Sequence, residues 1–199
     1  LAPFGPHNRC VSGLELADRS FVALERFVTN PNYRQDLSID IDAPPKDVFP
    51  WLVQMGYQRG GLYSYDWLDR LFGFLDRPSA NVILPEFQNL RPGDVIPIGR
   101  GGGFPVAAID PNRSIVLAGS PDQDDVAWGW ELTLEPVGAR GTRLVSRTLG
   151  RMPPTWKSRA MLAVLRPAAF LMTHRMLRGI KQRAETLAAA SAAPLGRVA

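Results

Sequence analysis

The sequence is poor in the residues that metal and redox chemistry need. Among 199 residues there is one cysteine, Cys10, and there are two histidines, His7 and His174. A lone cysteine closes no intrachain disulfide, and the chain reads as cytoplasmic. The histidines are far apart, and the single cysteine near His7 leaves too few ligands for a zinc site, so no metal site is expected and nothing calls for a cofactor. Long apolar runs are missing too. No stretch approaches the ~20 consecutive apolar residues that span a bilayer. There is no internal repeat, and no low-complexity segment beyond the alanines of 188–193. The first residues lack a charged start followed by an apolar run, so no signal peptide is expected, although a beginning at Leu1 leaves a trimmed upstream segment open. Charge of one sign is weak: 23 basic against 19 acidic residues give a net charge of +4. That allows contact with anionic lipid or an anionic ligand without demanding either. No Lys/Arg cluster interleaves with aromatics, which argues against nucleic acid as a partner. Nothing speaks to oligomeric state.

What is present is an ordinary globular composition, 45% apolar and 21% charged, in a chain of one-domain length. Residues 1–32 read as an arm followed by a helix, with apolar spacing at Leu14, Ala17, Phe21, Leu24 and Val28. Residues 33–190 form the main domain, and 191–199 a flexible tail. Leu37–Ile41 alternates with period two and predicts a half-buried strand. In DAPPKDVFPWLVQMG, Val48, Trp51, Leu52 and Met55 define one helical face that Gly56 stops, with Pro50 as its weak point. Turn signals then punctuate strands at Asp94–Ile98, Phe104–Ile109, Ser114–Ala118, Ala127–Glu135 and Thr142–Leu149. A long helix follows over 157–190, and Pro167 is expected to kink or break it. This order is an α+β architecture.

The stretch GGLYSYDWLDRLFG, from Gly60 to Gly73, concentrates polar aromatics. Gly60 and Gly61 make a turn, Ser64 is placed as a helix N-cap, and Asp66 falls in the first turn, where the helix dipole favours a carboxylate. Tyr63, Tyr65 and Trp67 are not explained by capping and are candidate ligand contacts. On the long helix, Met161, Leu162, Leu165, Ala169, Met172, Met176, Gly179, Ile180 and Leu187 share one side. Arg166, Arg175, Arg178 and Lys181 occupy the other, with His174 among them, so His174 is expected to be a surface residue rather than a general base. Met161, Met172 and Met176 lie on the helix face that should meet the sheet, where they either line an adaptable pocket or are plain core. Trp128 and Trp130 stand one pleat apart on the face shared with Leu132 and Leu134; they either fill the core or offer indole N–H donors to a ligand. Glu131 lies on the opposite face and is expected in a sheet-surface ion pair with Arg143 or Arg147. Gly101–Gly103 reads as a hairpin tip that could gate a pocket mouth, with Phe104 beside it. Glu86 is either a buried acid or a hydrogen-bonded loop carboxylate.

Taken in order, SIDIDAPPKDVFPWLVQMG, GGLYSYDWLDRLFG, LPEFQNLRPGD and HRMLRGIKQRAE resemble the SRPBCC superfamily, in particular its bacterial polyketide cyclase/dehydrase-like members. The resemblance spans about residues 33–187. It implies a helix-grip fold: a curved antiparallel sheet wrapped around a long C-terminal helix, here with an extra N-terminal helix, and a pocket between them for an apolar molecule. The superfamily has no single catalytic motif, so no catalytic residue carries over. The leading expectation is binding of a hydrophobic, ring-containing small molecule, contacted by Tyr63, Tyr65, Trp67, Phe104, Trp128, Trp130, Met172 and Met176. One alternative is a cyclase, aromatase or dehydratase that moves protons with Tyr63, Tyr65, Asp66 or Glu86 in the same cavity. Another is a peripheral lipid-handling protein that touches anionic membrane through Phe170 and Leu177 beside Arg166 and Arg178, although those cations could equally be a solvated face.

Overall fold

A single strand early in the chain closes a sheet built mostly from late residues. The computed structural model describes residues 22–118 and 127–192. Its elements are α1 (Val22–Glu25), β1 (Tyr33–Ile41), α2 (Pro45–Val53), α3 (Asp66–Leu71), a 3-10 turn (Pro85–Phe87), β2 (Val95–Pro97), β3 (Gly103–Asp110), β4 (Ser114–Ala118), β5 (Ala127–Val137), β6 (Gly141–Arg151) and α4 (Trp156–Ala192). The strands form one antiparallel sheet in the order β1-β6-β5-β4-β3-β2. The last five are an antiparallel meander, in which the β3–β4 and β5–β6 turns place Asn112 and Gly138 at positive φ. β1 pairs with β6 along its whole length, from Tyr33 opposite Gly150 to Ile41 opposite Thr142.

β1 starts four residues earlier than its apolar alternation predicts. Tyr33 and Gln35 stay in phase with Leu37, Ile39 and Ile41, but polar Gln35 hides the period. On the opposite face Asp36 is buried and accepts from Arg147 on β6 at 3.0 Å. α2 begins where expected: Pro44 is its N-cap and Pro45 its first residue, where a missing amide is tolerated. Pro50 lies inside the helix, which ends at Val53, and Gly56 then takes φ 123°. The buried Gln54 amide ties the following loop down, accepting from Leu84 N at 2.9 Å and donating to Val82 O at 3.1 Å. α4 starts on Thr155, whose hydroxyl accepts from Ser158 N at 3.2 Å. The helix runs without a break through Pro167.

The main core lies between the inner sheet face, α2 and the C-terminal half of α4, which contributes Met176, Leu177, Ile180 and Ala184. Leu177 is only 1% exposed. It was expected on the surface beside Arg178, and the correction follows from its neighbours: it packs one residue from Met176, on the edge of the buried stripe. A second, smaller core covers the outer sheet face, where Leu24 and Val28 meet Val116 and Leu149. Gly129 gives Leu24 its seat, since a Cβ there would collide with the Leu24 side chain. Of the N-terminal helix expected over 14–28, Leu14, Ala17 and Phe21 lie outside the described residues, as do His7 and Cys10. This outer cluster overturns the surface reading of Glu131. That residue is 2% exposed and stands opposite Arg147 in the ladder, and burial pushes its carboxyl up while Arg147 pulls it down. Arg143 instead holds Asp40 at 2.7 Å on the exposed part of the sheet.

Candidate functional site

α4 leaves the sheet toward its N-terminal end, and a cavity of about 320 Å³ opens beneath it. That is the lower end of the range occupied by small-molecule sites. One wall is aromatic and comes from the strands. Phe104 on β3 stacks on Trp128 on β5 at 4.3 Å with an interplanar angle of 19°. Trp130 meets both edge-on, 5.9 Å from Phe104 and 6.4 Å from Trp128. The period of two puts both tryptophans on the inner face, and antiparallel pairing through β4 brings Phe104 within reach of them. Such offset and edge geometries are the favoured aromatic contacts. The Trp130 indole is not free to greet a ligand, as its N–H donates to Ser146 Oγ at 2.9 Å. The opposite wall is α4, with Leu162, Leu165, Ala169, Met172 and Met176 turned inward at helical spacing.

A few polar groups interrupt this surface. Tyr33 and Gln35 enter from β1, Thr148 from β6 and Thr173 from α4. The Tyr33 hydroxyl donates to Gln35 Oε1 at 2.7 Å. Burial raises the Tyr33 phenol, and the Arg166 guanidinium, 5.6 Å from its ring centroid, opposes that rise. Arg166 therefore reaches back to β1 rather than pointing into solvent. Ser64 also lines the cavity, and its hydroxyl bonds to Asp69 Oδ2. Asp69 is fully buried and its Oδ1 has no hydrogen-bond partner. Burial pushes its carboxyl up, the Ser64 hydrogen bond works against that, and the charge of Asp66 adds to the rise.

The structure thus brings Phe104, Trp128, Trp130, Met172 and Met176 to one cavity and places the other candidates elsewhere. Tyr63 is 2% exposed but off the cavity wall. At φ 57° it lays its backbone against Gly179 of α4, where any Cβ would clash, and its ring meets Trp51 edge-on at 6.0 Å beneath the Arg183 guanidinium. Burial raises its phenol. Tyr65 is the cap residue of α3 and lies under Arg175 at 5.8 Å, while Trp67 is 63% exposed. Ser64 is not the N-cap expected of it, because the helix begins two residues later and its hydroxyl is turned to Asp69. Asp66 opens α3 and is bound to Ser79, accepting from its N at 3.0 Å and its Oγ at 2.6 Å. The Ser79 hydroxyl in turn accepts from Tyr63 N at 3.0 Å. The GGLYSYDWLDRLFG segment is therefore a tied loop that presents Leu62 and Ser64 to the cavity, not its tyrosines. Glu86 is exposed in the 3-10 turn, near Arg59 and Asp94 in a separate polar depression. His174 is half-buried and stacks on Phe170 with centroids 6.1 Å apart. Among the described residues, no group of three His, Cys, Asp or Glu side chains is placed to hold a metal ion.

Sequence reasoning missed Tyr33, Gln35, Ser64, Asp69, Thr148 and Thr173. Tyr33 and Gln35 carried a usable signal in their phase with Leu37. Thr148 did as well, being opposite both Gln35 and Trp130 in the ladders.

A six-stranded antiparallel sheet, two short helices inserted after its first strand and a long C-terminal helix over a cavity on its inner face define the architecture. An antiparallel sheet closed on a long C-terminal helix in this way is a helix-grip fold. Solved structures resemble the chain at low identity. The Zhui aromatase/cyclase from Streptomyces sp. R1128 aligns over 81% of this chain and 99% of its own, at 14% identity and TM-score 0.48. The di-domain ARO/CYC StfQ of the steffimycin biosynthetic pathway aligns over 78% of this chain and 51% of its own, at 14% identity and TM-score 0.44. CalU16 from Micromonospora echinospora aligns over 80% and 89%, at 15% identity and TM-score 0.37. No protein-family model and no curated protein sequence matches the chain. The likeness concerns the fold alone. Among the described residues, no helix is long and apolar enough to cross a membrane.

Proposed function

We propose that the protein binds a hydrophobic, ring-containing small molecule in the cavity between the sheet and the N-terminal half of α4. The observation that carries this reading is the stacked Phe104–Trp128 pair with Trp130 edge-on, facing methionines across a cavity of about 320 Å³. A flat aromatic wall favours a flat guest, and unbranched thioethers opposite can adapt to its outline. The few polar groups, Tyr33, Gln35, Thr148, Thr173 and Ser64, would orient one polar substituent of the guest. The test is native mass spectrometry with solvent extraction of the purified protein, together with titration by the apolar dye N-phenylnaphthylamine. Saturable dye binding, displaced by the extracted molecule, is the expected result. A protein that carries nothing and binds no dye rejects the reading.

The enzyme alternative, a polyketide cyclase, aromatase or dehydratase, has one observation in its favour: cavity-lining Ser64 is bonded to buried Asp69. A carboxyl raised by burial behind a hydroxyl suits proton transfer. This alternative predicts that a linear poly-β-ketone thioester is converted to a cyclised or dehydrated product and that Asp69→Asn abolishes the conversion. The binding reading predicts that the chain is recovered unchanged.

A further inference from the structure

We infer that the N-terminal half of α4, together with α3, is a docking surface for an anionic lipid bilayer. A globular helix normally has one apolar stripe, and a helix apolar all round belongs in a core or a membrane. From Trp156 to Leu171, α4 is apolar on both sides. Leu162, Leu165 and Ala169 face the cavity, while Trp156, Val164 and Leu171 face solvent, the first two at 75% and 72% exposure. At 3.6 residues per turn those three fall within about 80° of one another, a continuous outer strip. The C-terminal half carries Arg178, Lys181, Gln182 and Glu185 on the corresponding face. α3 adds Trp67 and Leu71, and Phe72 follows at its C-cap, all three more than half exposed. It lies beside α4 through the Tyr65–Arg175 contact, and Phe72 packs at 6.1 Å against Phe74, which lines the same cavity as Leu162 and Leu165. Exposed apolar residues thus stand on the outer side of α4 and on the neighbouring α3 segment, around the cavity-bearing end of the molecule.

Charge identifies the occupant. Between Trp156 and Leu171 the helix holds Lys157, Arg159 and Arg166 and no acidic residue, and exposed Lys157 and Arg159 flank the outer strip on either side. A second copy of this face would set cations against cations, which disfavours a symmetric dimer. An anionic bilayer meets both features: its interface accepts tryptophan and aliphatic side chains while its headgroups pair with flanking Lys and Arg. This docking does not depend on the cavity holding a ligand, although uptake of a guest from the bilayer would rest on that reading.

The test is flotation of the full chain with phosphatidylglycerol/phosphatidylcholine vesicles and with phosphatidylcholine vesicles. The expected results are co-flotation with the anionic vesicles only, loss of it at high salt, and at least tenfold weaker binding in the double variants Val164→Asp/Leu171→Asp and Lys157→Glu/Arg159→Glu. All four positions are exposed, and an unchanged melting temperature shows that the variants fold. Ala169→Phe, which fills the cavity, should float like the wild type. No flotation at low salt, equal flotation by the aspartate variant, or loss of flotation in Ala169→Phe overturns the inference. So does a wild-type dimer that the aspartate variant splits while vesicles remain unbound.

Discussion

The two halves of α4 are one helix in two environments. From Met176 onward, Met176, Leu177, Ile180 and Ala184 sink into the core against α2 and β1, and Gly179 lets the Tyr63 backbone press against the helix. From Trp156 to Leu171 the same helix roofs a cavity on one side and exposes apolar residues on the other. The first arrangement supplies stability and the second leaves it unclaimed. The space that a guest would need therefore lies where packing is incomplete, held in position by the half that is fully packed.

The largest effect should come from the packed half. Leu177→Ala is expected to lower stability by about 2–5 kcal/mol, whereas Val164→Ala should stay within about 0.5 kcal/mol. Urea denaturation of both variants checks this, and equal losses would erase the distinction between the halves. The next effect concerns the cavity. Ala169→Phe places a ring where a methyl now faces the aromatic wall, and is expected to weaken N-phenylnaphthylamine binding at least tenfold with little change in stability. If stability falls as far as in Leu177→Ala, the space beneath the helix is not open to a guest.

These two regions were not equally legible in the sequence. The packed half, the strands of the meander and the shared face of the two tryptophans follow from periodicity, which reports burial directly. Leu177 is the exception, because an edge position of a helical stripe cannot be assigned from spacing until its neighbour is known. The cavity wall was half visible. Its aromatics and methionines have the signature of core residues, and its polar members look like interruptions: Gln35 hides the first turns of β1, and Ser64 resembles a cap. The tyrosines of GGLYSYDWLDRLFG misled for a related reason. Tyr63 needs a left-handed backbone and a glycine on a helix more than a hundred residues later, and no local pattern announces either. Glu131 was read as a surface residue because what covers it, the cluster around Leu24, lies on the far side of the sheet.

Asp69 sharpens the comparison from the cavity side. Its folded carboxyl is raised above the ordinary 3.8, chiefly by burial. The native state then holds this proton more tightly than the unfolded chain, so the contribution to stability is most favourable below the unfolded value and is lost as pH rises through the folded value. Asp69→Asn removes that dependence. Wild type is expected to lose stability relative to the variant as pH climbs from below 3.8 through the raised folded value, and to run parallel to it at higher pH. Melts across that range check the sign. Parallel curves throughout would mean that the carboxyl is solvated, and the Ser64–Asp69 pair would lose its claim on acid–base chemistry.

The smallest effect belongs to the exposed part of the sheet, where Asp40 of β1 meets Arg143 of β6 and Lys181 of α4. Arg143 holds Asp40 through Nε at 2.7 Å and Nη2 at 3.1 Å, and the pair lowers the Asp40 carboxyl, the hydrogen bond being the main cause. The bidentate geometry is good, but the Asp40 side chain is 60% exposed, and water competes for both charges. Arg143→Ala is therefore expected to lower stability by less than about 1 kcal/mol, with the difference shrinking at high salt. The buried Arg147–Asp36 pair on the same two strands is the control, because loss of one partner there strands a charge away from water. If Arg143→Ala and Arg147→Ala cost the same, the outer cluster over β4–β6 does not exclude solvent, and the second core contributes less than its burial implies.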